Sequence, residues 1–319
     1  MSDVETDVLG APYTAETISL PDDSEGPVVA TLVHRPAAAT TRRAVLHVHG
    51  FADYFFQTEY AEWWNDRGYD FYALDLRKYG RSILPHQTPN YVEDLEEYFP
   101  ELDAAWSAIT TRDDHDHVVL TAHSTGGLIV PLWAVARSPA AVGMILNSPW
   151  FDLQGEWWLR TFGTAVIKQV GARTPRRIIP RSVNGLYGRS LHRDYDGEFD
   201  FDFRWKPLES QPVYAGWLRA VRNGHARLHR GMDVGCPALV LSSARTAYPS
   251  EMNDEVHRTD IVLDVRQIRK WATSLGGHVT SIAIKDARHD VVLSLPEVRK
   301  QVYVEMDLWL GTYVDHEAG

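Results

Sequence analysis

Ser124 lies in the run Ala122-His123-Ser124-Thr125-Gly126, between the apolar stretch HVVLTA and the helix-like stretch LIVPLWAVA. A serine at a tight strand-to-helix turn is held in a strained backbone conformation, and only small residues fit two positions before and after it. Ala122 and Gly126 meet that need, and Gly127 lets the helix approach the strand closely. The free N–H groups at the helix start favour negative charge forming beside the hydroxyl. A serine hydroxyl attacks only with the help of a base. Of the fourteen histidines, His289 in KDARHDVV follows the last apolar strand-like run, which puts it at the carboxyl end of a parallel sheet together with the Ser124 turn. His278 precedes that run and falls at the opposite end. His47 alternates within a strand and reads as core. His115 and His117, in DDHDH, read as a solvated loop rather than metal ligands, and His123 as a local hydrogen-bonding residue. The base needs an orienting carboxylate. Downstream of ALVLSS the candidates are Glu251, Asp254, Glu255, Asp260 and Asp264. Asp260 is favoured, Asp254 is its main competitor, and Asp264 has its own role as a helix cap. Charge forming on a substrate oxygen calls for two fixed N–H donors. The backbone N–H groups of Thr125 and of Phe51, after Gly50 in HGFADYFF, are the expected pair.

These residues need a scaffold, and the pattern of the chain supplies one. Six short runs, 44–50, 71–75, 117–122, 143–148, 238–243 and 280–285, are nearly continuous in apolar residues, as expected of parallel strands covered on both faces. Helical patterns fall at 59–67, 92–110, 128–137, 265–275 and 297–310, with Asp264 and Gln267 as an expected capping box. Alternating strands and helices predict an α/β fold built on a doubly wound, mostly parallel sheet. ETISL and VVATLVHRP, joined by PDDSEG, predict an antiparallel hairpin at its edge. The rhythm fails between 149 and 235, which reads as a cap or lid inserted into a core made of 1–148 and 236–319. That segment carries Trp150, Trp157, Trp158, Trp205 and Trp217, candidate walls of an apolar substrate site.

Composition narrows the function. A net charge of −11 argues against a nucleic-acid partner, which requires a basic footprint. Cys236 is the single cysteine, so no disulfide framework or multi-cysteine metal site is expected. The first residues lack a basic segment followed by an apolar run, and no stretch approaches the ~18 apolar residues of a membrane span. A cytoplasmic protein is the expectation. Charge is uneven along the chain. Residues 155–230 hold 14 Lys and Arg against 7 Asp and Glu, leaving 18 against 36 elsewhere. A basic cap over an acidic body suits an anionic ester or weak contact with an anionic membrane surface, while local ion pairing within the cap is an equally available outcome.

Taken together, HVHGFADY, FYALDLRKYGRS and AHSTGG, with the chain order Ser124, Asp260, His289, resemble the α/β-hydrolase superfamily. The three segments are similar to its oxyanion loop, its D-x-R-G-x-G-x-S segment and its nucleophile elbow, with Ala122 in place of the first glycine of G-x-S-x-G and with Lys78 and Tyr79 as departures. Within it the chain is most similar to serine hydrolases grouped with monoacylglycerol lipases, lysophospholipases and serine aminopeptidases. The resemblance implies acyl transfer from a small-molecule ester to water, with Ser124 as nucleophile, His289 as base, Asp260 as its orienting acid, and no metal or organic cofactor. Two other readings compete. An iminopeptidase would need cap carboxylates for a free amino terminus, with Glu156, Glu198 and Glu209 available. A non-catalytic binding protein of this fold would be expected to have lost one of the three residues.

Overall fold

The computed structural model describes residues 4–154, 169–181 and 183–315. A nine-stranded sheet runs in the order β1-β2-β3-β5-β4-β6-β7-β8-β9. β4 (Arg43–Val48), β5 (Asp70–Asp75), β6 (His117–His123), β7 (Gly143–Asn147), β8 (Ala238–Ser243) and β9 (Val279–Ile284) are parallel neighbours. β2 (Thr14–Asp23) and β3 (Gly26–Arg35) form the expected hairpin, with an irregularity between Leu20 and Asp23. The hairpin is extended at the edge by β1 (Val4–Thr6) and joined antiparallel to β5.

Two apolar layers explain why the central strands lack alternation. Ala44, Leu46, Val48, Val118, Leu120 and Ala122 point into one buried cluster, shared with α3 (Gly126–Arg137) and α7 (Val265–Ala272). Their sequence neighbours Val45 and Val119 point into a second cluster, under α1 (Thr58–Asn65) and α8 (Pro296–Tyr313). Period-two geometry sends successive side chains to opposite faces, and here both faces are dry.

Three local expectations are corrected. The pattern at 92–110 is not one helix. A 3-10 turn at Leu95–Tyr98 leads into α2 (Phe99–Ser107), which ends in a π turn at Ala108–Arg112. Pro100 explains the break, because proline lacks the N–H an interior position would use and suits a helix start. The reciprocal capping box sits there too, at Asp94 and Glu97. At α7, by contrast, Asp264 caps the N–H of Arg266, but the Gln267 amide reaches the Asp264 carboxylate rather than its backbone. Nor is DDHDH simply solvated. His115 is buried against Tyr72 and Asp70, and this pairing, with His34, holds the Asp70 carboxyl low despite its burial.

The segment between β7 and β8 includes α4 (Leu186–Leu191) and α5 (Ala215–Leu228). Its apolar residues join the body. Trp217, Val221 and Leu228 belong to the same cluster as the sheet, and Leu191 and Phe201 pack with Tyr54, Phe56 and Leu293. No helix among the described residues is long and apolar enough to cross a membrane.

Candidate active site

β6 ends at His123, and α3 begins three residues later at Gly126. Ser124 makes this turn at φ +51°, in the left-handed region that costs a non-glycine residue strain. The turn is held by both main-chain atoms of the serine, whose N–H donates to Asn147 O at 3.0 Å while its carbonyl accepts from Trp150 N–H at 2.9 Å. The small flanking residues are required by space. A Cβ on Gly126 would collide with the carbonyls of His49 and Val48, and one on Gly127 with Pro149.

The structure brings the three distant side chains together. Ser124 Oγ lies 3.1 Å from His289 Nε2, and His289 Nδ1 lies 2.9 Å from Asp260 Oδ2. All three residues are buried. An ionised carboxylate can only accept, so the imidazole proton sits on Nδ1, and the Nε2 lone pair faces the serine hydroxyl. The other oxygen of Asp260 accepts the N–H groups of Val262 and Leu263 at 2.8 and 2.7 Å. A one-residue bridge between Thr246 and Asp260 ties this loop to the chain leaving β8. Asp254 instead pairs with Arg258 in α6 (Asp254–Arg258), its side chain exposed.

The backbone N–H groups of Thr125 and Phe51 donate no hydrogen bond among the described residues. Gly50 brings the Phe51 loop to the serine, since a Cβ at Gly50 would lie 2.9 Å from Ser124 Cβ. His49 fixes this loop. Its Nε2 accepts the Leu76 N–H at 3.0 Å, so its Nδ1 carries the proton and donates to Gly50 O at 2.8 Å.

The other sequence candidates divide. His123 packs on the His289 ring at 4.8 Å, with Nδ1 near Asn147 O, and burial pushes its pKa down, keeping it neutral. Burial likewise drives His47 down to about 3. His278 lies away from the site, edge-on to Tyr313. Trp217 is buried against Phe51, with ring centroids 4.3 Å apart, and Trp150 lies 5.8 Å from Trp217. Trp205 packs instead on Tyr54, and Trp157, Trp158 and Glu156 lie outside the described residues. Glu198 is engaged with Arg299 at 2.5 Å. Many arginines of segment 149–235 are paired, Arg193 with Asp200, Arg204 with Asp202 and Arg222 with Asp152 within the segment, and Arg176 with Glu25 of the β2–β3 hairpin. Much of the positive charge of segment 149–235 is therefore paired, partly with its own carboxylates and partly with those of the body. No group of His, Cys, Asp and Glu suited to a metal occurs among the described residues.

Sequence reasoning missed a layer beneath the site. Asp290 accepts from Asn147 Nδ2 at 2.6 Å and Gln57 Nε2 at 3.3 Å, and its N–H donates to Tyr187 of α4, whose ring packs on His289. Lys206 reaches from the insertion to Asp53, two residues past Phe51, with Nζ to Oδ1 at 2.7 Å. Burial raises the Asp53 pKa, but Lys206 more than offsets this and holds it below the usual carboxylate value. No spacing signalled these pairs. Only the proximity of Asp290 to His289 in sequence hinted at one of them.

A family profile described as serine aminopeptidase, S33, matches residues 39–247, more than half of the chain. A search of curated proteins returns no match. Among solved structures, a soluble variant of the monoglyceride lipase of Saccharomyces cerevisiae is similar at 16% identity and TM-score 0.67, over 93% of this chain and 95% of the other. The monoacylglycerol lipase of Paleococcus ferrophilus is similar at 20% identity and TM-score 0.65, over 88% and 99%. A carboxyl esterase of Bacillus coagulans is similar at 14% identity and TM-score 0.65, over 94% and 99%.

Proposed function

The chain belongs to the serine aminopeptidase S33 family, with an α/β-hydrolase fold, and from that premise we propose that it hydrolyses carboxylic esters of apolar acyl groups through an acyl-enzyme. One observation carries the reading: a strained Ser124 whose Oγ lies 3.1 Å from His289 Nε2, with that imidazole oriented by Asp260 at 2.9 Å. Ser124 Oγ attacks the ester carbonyl while His289 Nε2 takes its proton. The carbonyl oxygen becomes an oxyanion between the Phe51 and Thr125 N–H groups, which have no competing acceptor among the described residues. His289 returns the proton to the leaving alcohol. It then draws a proton from water as that water attacks the acyl carbon, and the imidazolium returns the proton to Ser124 Oγ as the acid leaves. Asp260 stays ionised and stabilises the imidazolium that forms twice in each turnover.

Residues 149–235 serve as the cap in this reading, and the half-buried rings of Phe51 and Trp150, backed by the buried Trp217, supply apolar surface near the serine. An aminopeptidase would require cap carboxylates free to bind an ammonium group. Of the three candidates, Glu198 is paired with Arg299, Glu209 borders a hollow whose lining includes neither Ser124 nor His289, and Glu156 lies outside the described residues, so no observation favours that reading. The test combines fluorophosphonate labelling with two assays, 4-nitrophenyl butyrate hydrolysis and aminoacyl-anilide hydrolysis. Expected are a label on Ser124, ester turnover lost in Ser124→Ala, and kcat reduced by about 10³–10⁴-fold in Asp260→Asn. Anilide turnover without ester turnover would overturn the proposal, as would a label elsewhere.

A further inference from the structure

Arg181 differs from the cap arginines that hold carboxylates. Its guanidinium is fixed by two neutral acceptors, with Nη2 2.8 Å from Ser210 Oγ and 2.7 Å from Gln211 O. It has no carboxylate partner among the described residues, and it remains open to solvent. It stands over the Phe51 ring, 5.5 Å from its centroid. Arg181 also borders a hollow of about 300 Å³, lined by Ile178, Pro180, Val183 and Glu209 among others.

This placement is specific to the site. The Phe51 N–H is one of the two donors assigned to the oxyanion. The Phe51 ring continues to Trp217 and Trp150, and the Trp150 N–H binds the Ser124 carbonyl. The Phe51 ring therefore links the oxyanion donor on its own backbone to a fixed cation that has no carboxylate partner among the described residues, with the buried Trp217 packed behind it. Burial lowers the Arg181 pKa from its usual value, but a guanidinium stays charged at neutral pH, and its planar fork matches a carboxylate or phosphate. Within the reading of the protein as an ester hydrolase, we propose that Arg181 selects substrates that carry an anionic group, a carboxylate or a phosphate, several bonds from the scissile carbonyl. The apolar part of the substrate lies along Phe51, and the anion docks on the guanidinium. Glu209, in the same hollow and without an ion pair to Arg181, opposes the anion and limits its affinity.

The test uses matched esters of similar size. One pair is 4-nitrophenyl butyrate against mono-4-nitrophenyl glutarate, which places a carboxylate on the acyl side. The other is monolauroylglycerol against 1-lauroyl-lysophosphatidate, which places a phosphate on the alcohol side. The readout is the ratio of kcat/KM, anionic over neutral, in the parent chain and in Arg181→Gln, Arg181→Lys and Glu209→Gln. In Arg181→Gln this ratio is expected to fall about 10–100-fold in at least one pair, the size of a lost hydrogen bond to a charged group. Arg181→Lys should retain part of it, and Glu209→Gln should raise it. High salt should shrink the preference of the parent chain. The pair that responds tells an acyl carboxylate from a headgroup phosphate. Turnover of neutral esters with a ratio that Arg181→Gln leaves unmoved in both pairs overturns the inference alone. Failure to hydrolyse any of the four esters, with Ser124 unlabelled by a fluorophosphonate, overturns the hydrolase reading and this inference with it.

Discussion

Replacing Lys206 by Met tests whether the segment between β7 and β8 is fastened to the Phe51 loop by a buried ion pair. The side chains of Lys206 and Asp53 are 9% and 2% exposed, with Nζ 2.7 Å from Oδ1. The aromatic rings of Phe56, Tyr187 and Phe201 surround the ammonium at 5.6–5.9 Å. Methionine keeps most of the stem and removes the charge, leaving Asp53 in a dry site with burial as its main perturbation. Breaking one side of such a pair costs about 3–5 kcal/mol. At about 1.5 °C per kcal/mol for a chain of 319 residues, the melting temperature should fall by about 5–7 °C at neutral pH. The pH dependence supplies a second check. In the parent chain the Asp53 carboxyl is held below its unfolded value, so its contribution is present above the unfolded pKa near 4 and is lost as pH falls through that range. In Lys206→Met burial raises the same carboxyl, the unfolded chain ionises first, and the variant loses stability as pH rises above about 4. The gap between the two proteins should therefore widen from pH 4 to pH 7. The double variant Lys206→Met/Asp53→Leu should recover most of the loss, since neither charge remains buried. Calorimetry or dye-monitored melting across pH 4–8 measures all of this. A fall below about 3 °C, a gap that narrows with rising pH, or a double variant no better than the single would refute the argument.

Gly126→Ala places a methyl against the carbonyls of Val48 and His49, backbone atoms that cannot step aside. It should destabilise the protein by about 1–3 kcal/mol and displace the serine turn, read as a lower melting temperature together with slower fluorophosphonate labelling of whatever protein folds. His225 is buried in α5, accepts from Arg222 and donates to the Trp150 carbonyl, and burial depresses its pKa to about 3. The unfolded chain binds this proton first, so the contribution of His225 is present above about pH 6.5 and is lost as pH falls from there toward 3. A His225→Gln variant should show a smaller drop in melting temperature between pH 7 and pH 4 than the parent chain.

The parts of this molecule that were legible in its sequence are those fixed by a periodicity or by local sterics. A strand with both faces covered must be apolar throughout, so β4, β6, β7 and β8 were visible as runs. The turn at Ser124 was visible because only small residues fit at Ala122 and Gly126, the latter pressed against Val48. Chain order then carried His289 to the correct end of the sheet, because every parallel strand exposes its following loop on the same rim. Asp260 was harder to place. The strip after β8 contains no acid until well into its loop, and the choice over Asp254 depends on the one-residue bridge at Thr246, which leaves no periodic trace.

What stayed hidden belongs to a different class of interaction. Lys206 with Asp53, Arg222 with Asp152, and Asp290 with Asn147 join residues 70–153 positions apart through single side chains. No pattern of neighbours announces such a pair, since each depends on the whole chain having closed first. The same reasoning changes how the basic cap is read. Its positive sum looked like one field when counted along the sequence. In the fold much of that charge is spent on carboxylates within reach, and the position that matters is the one held by a hydroxyl and a carbonyl instead. A net charge is a property of composition, whereas specificity for an anion requires a cation left without a carboxylate partner at a defined place beside the site. Arg181 above Phe51 has that geometry, which a count of arginines could not distinguish from Arg204 on its own Asp202.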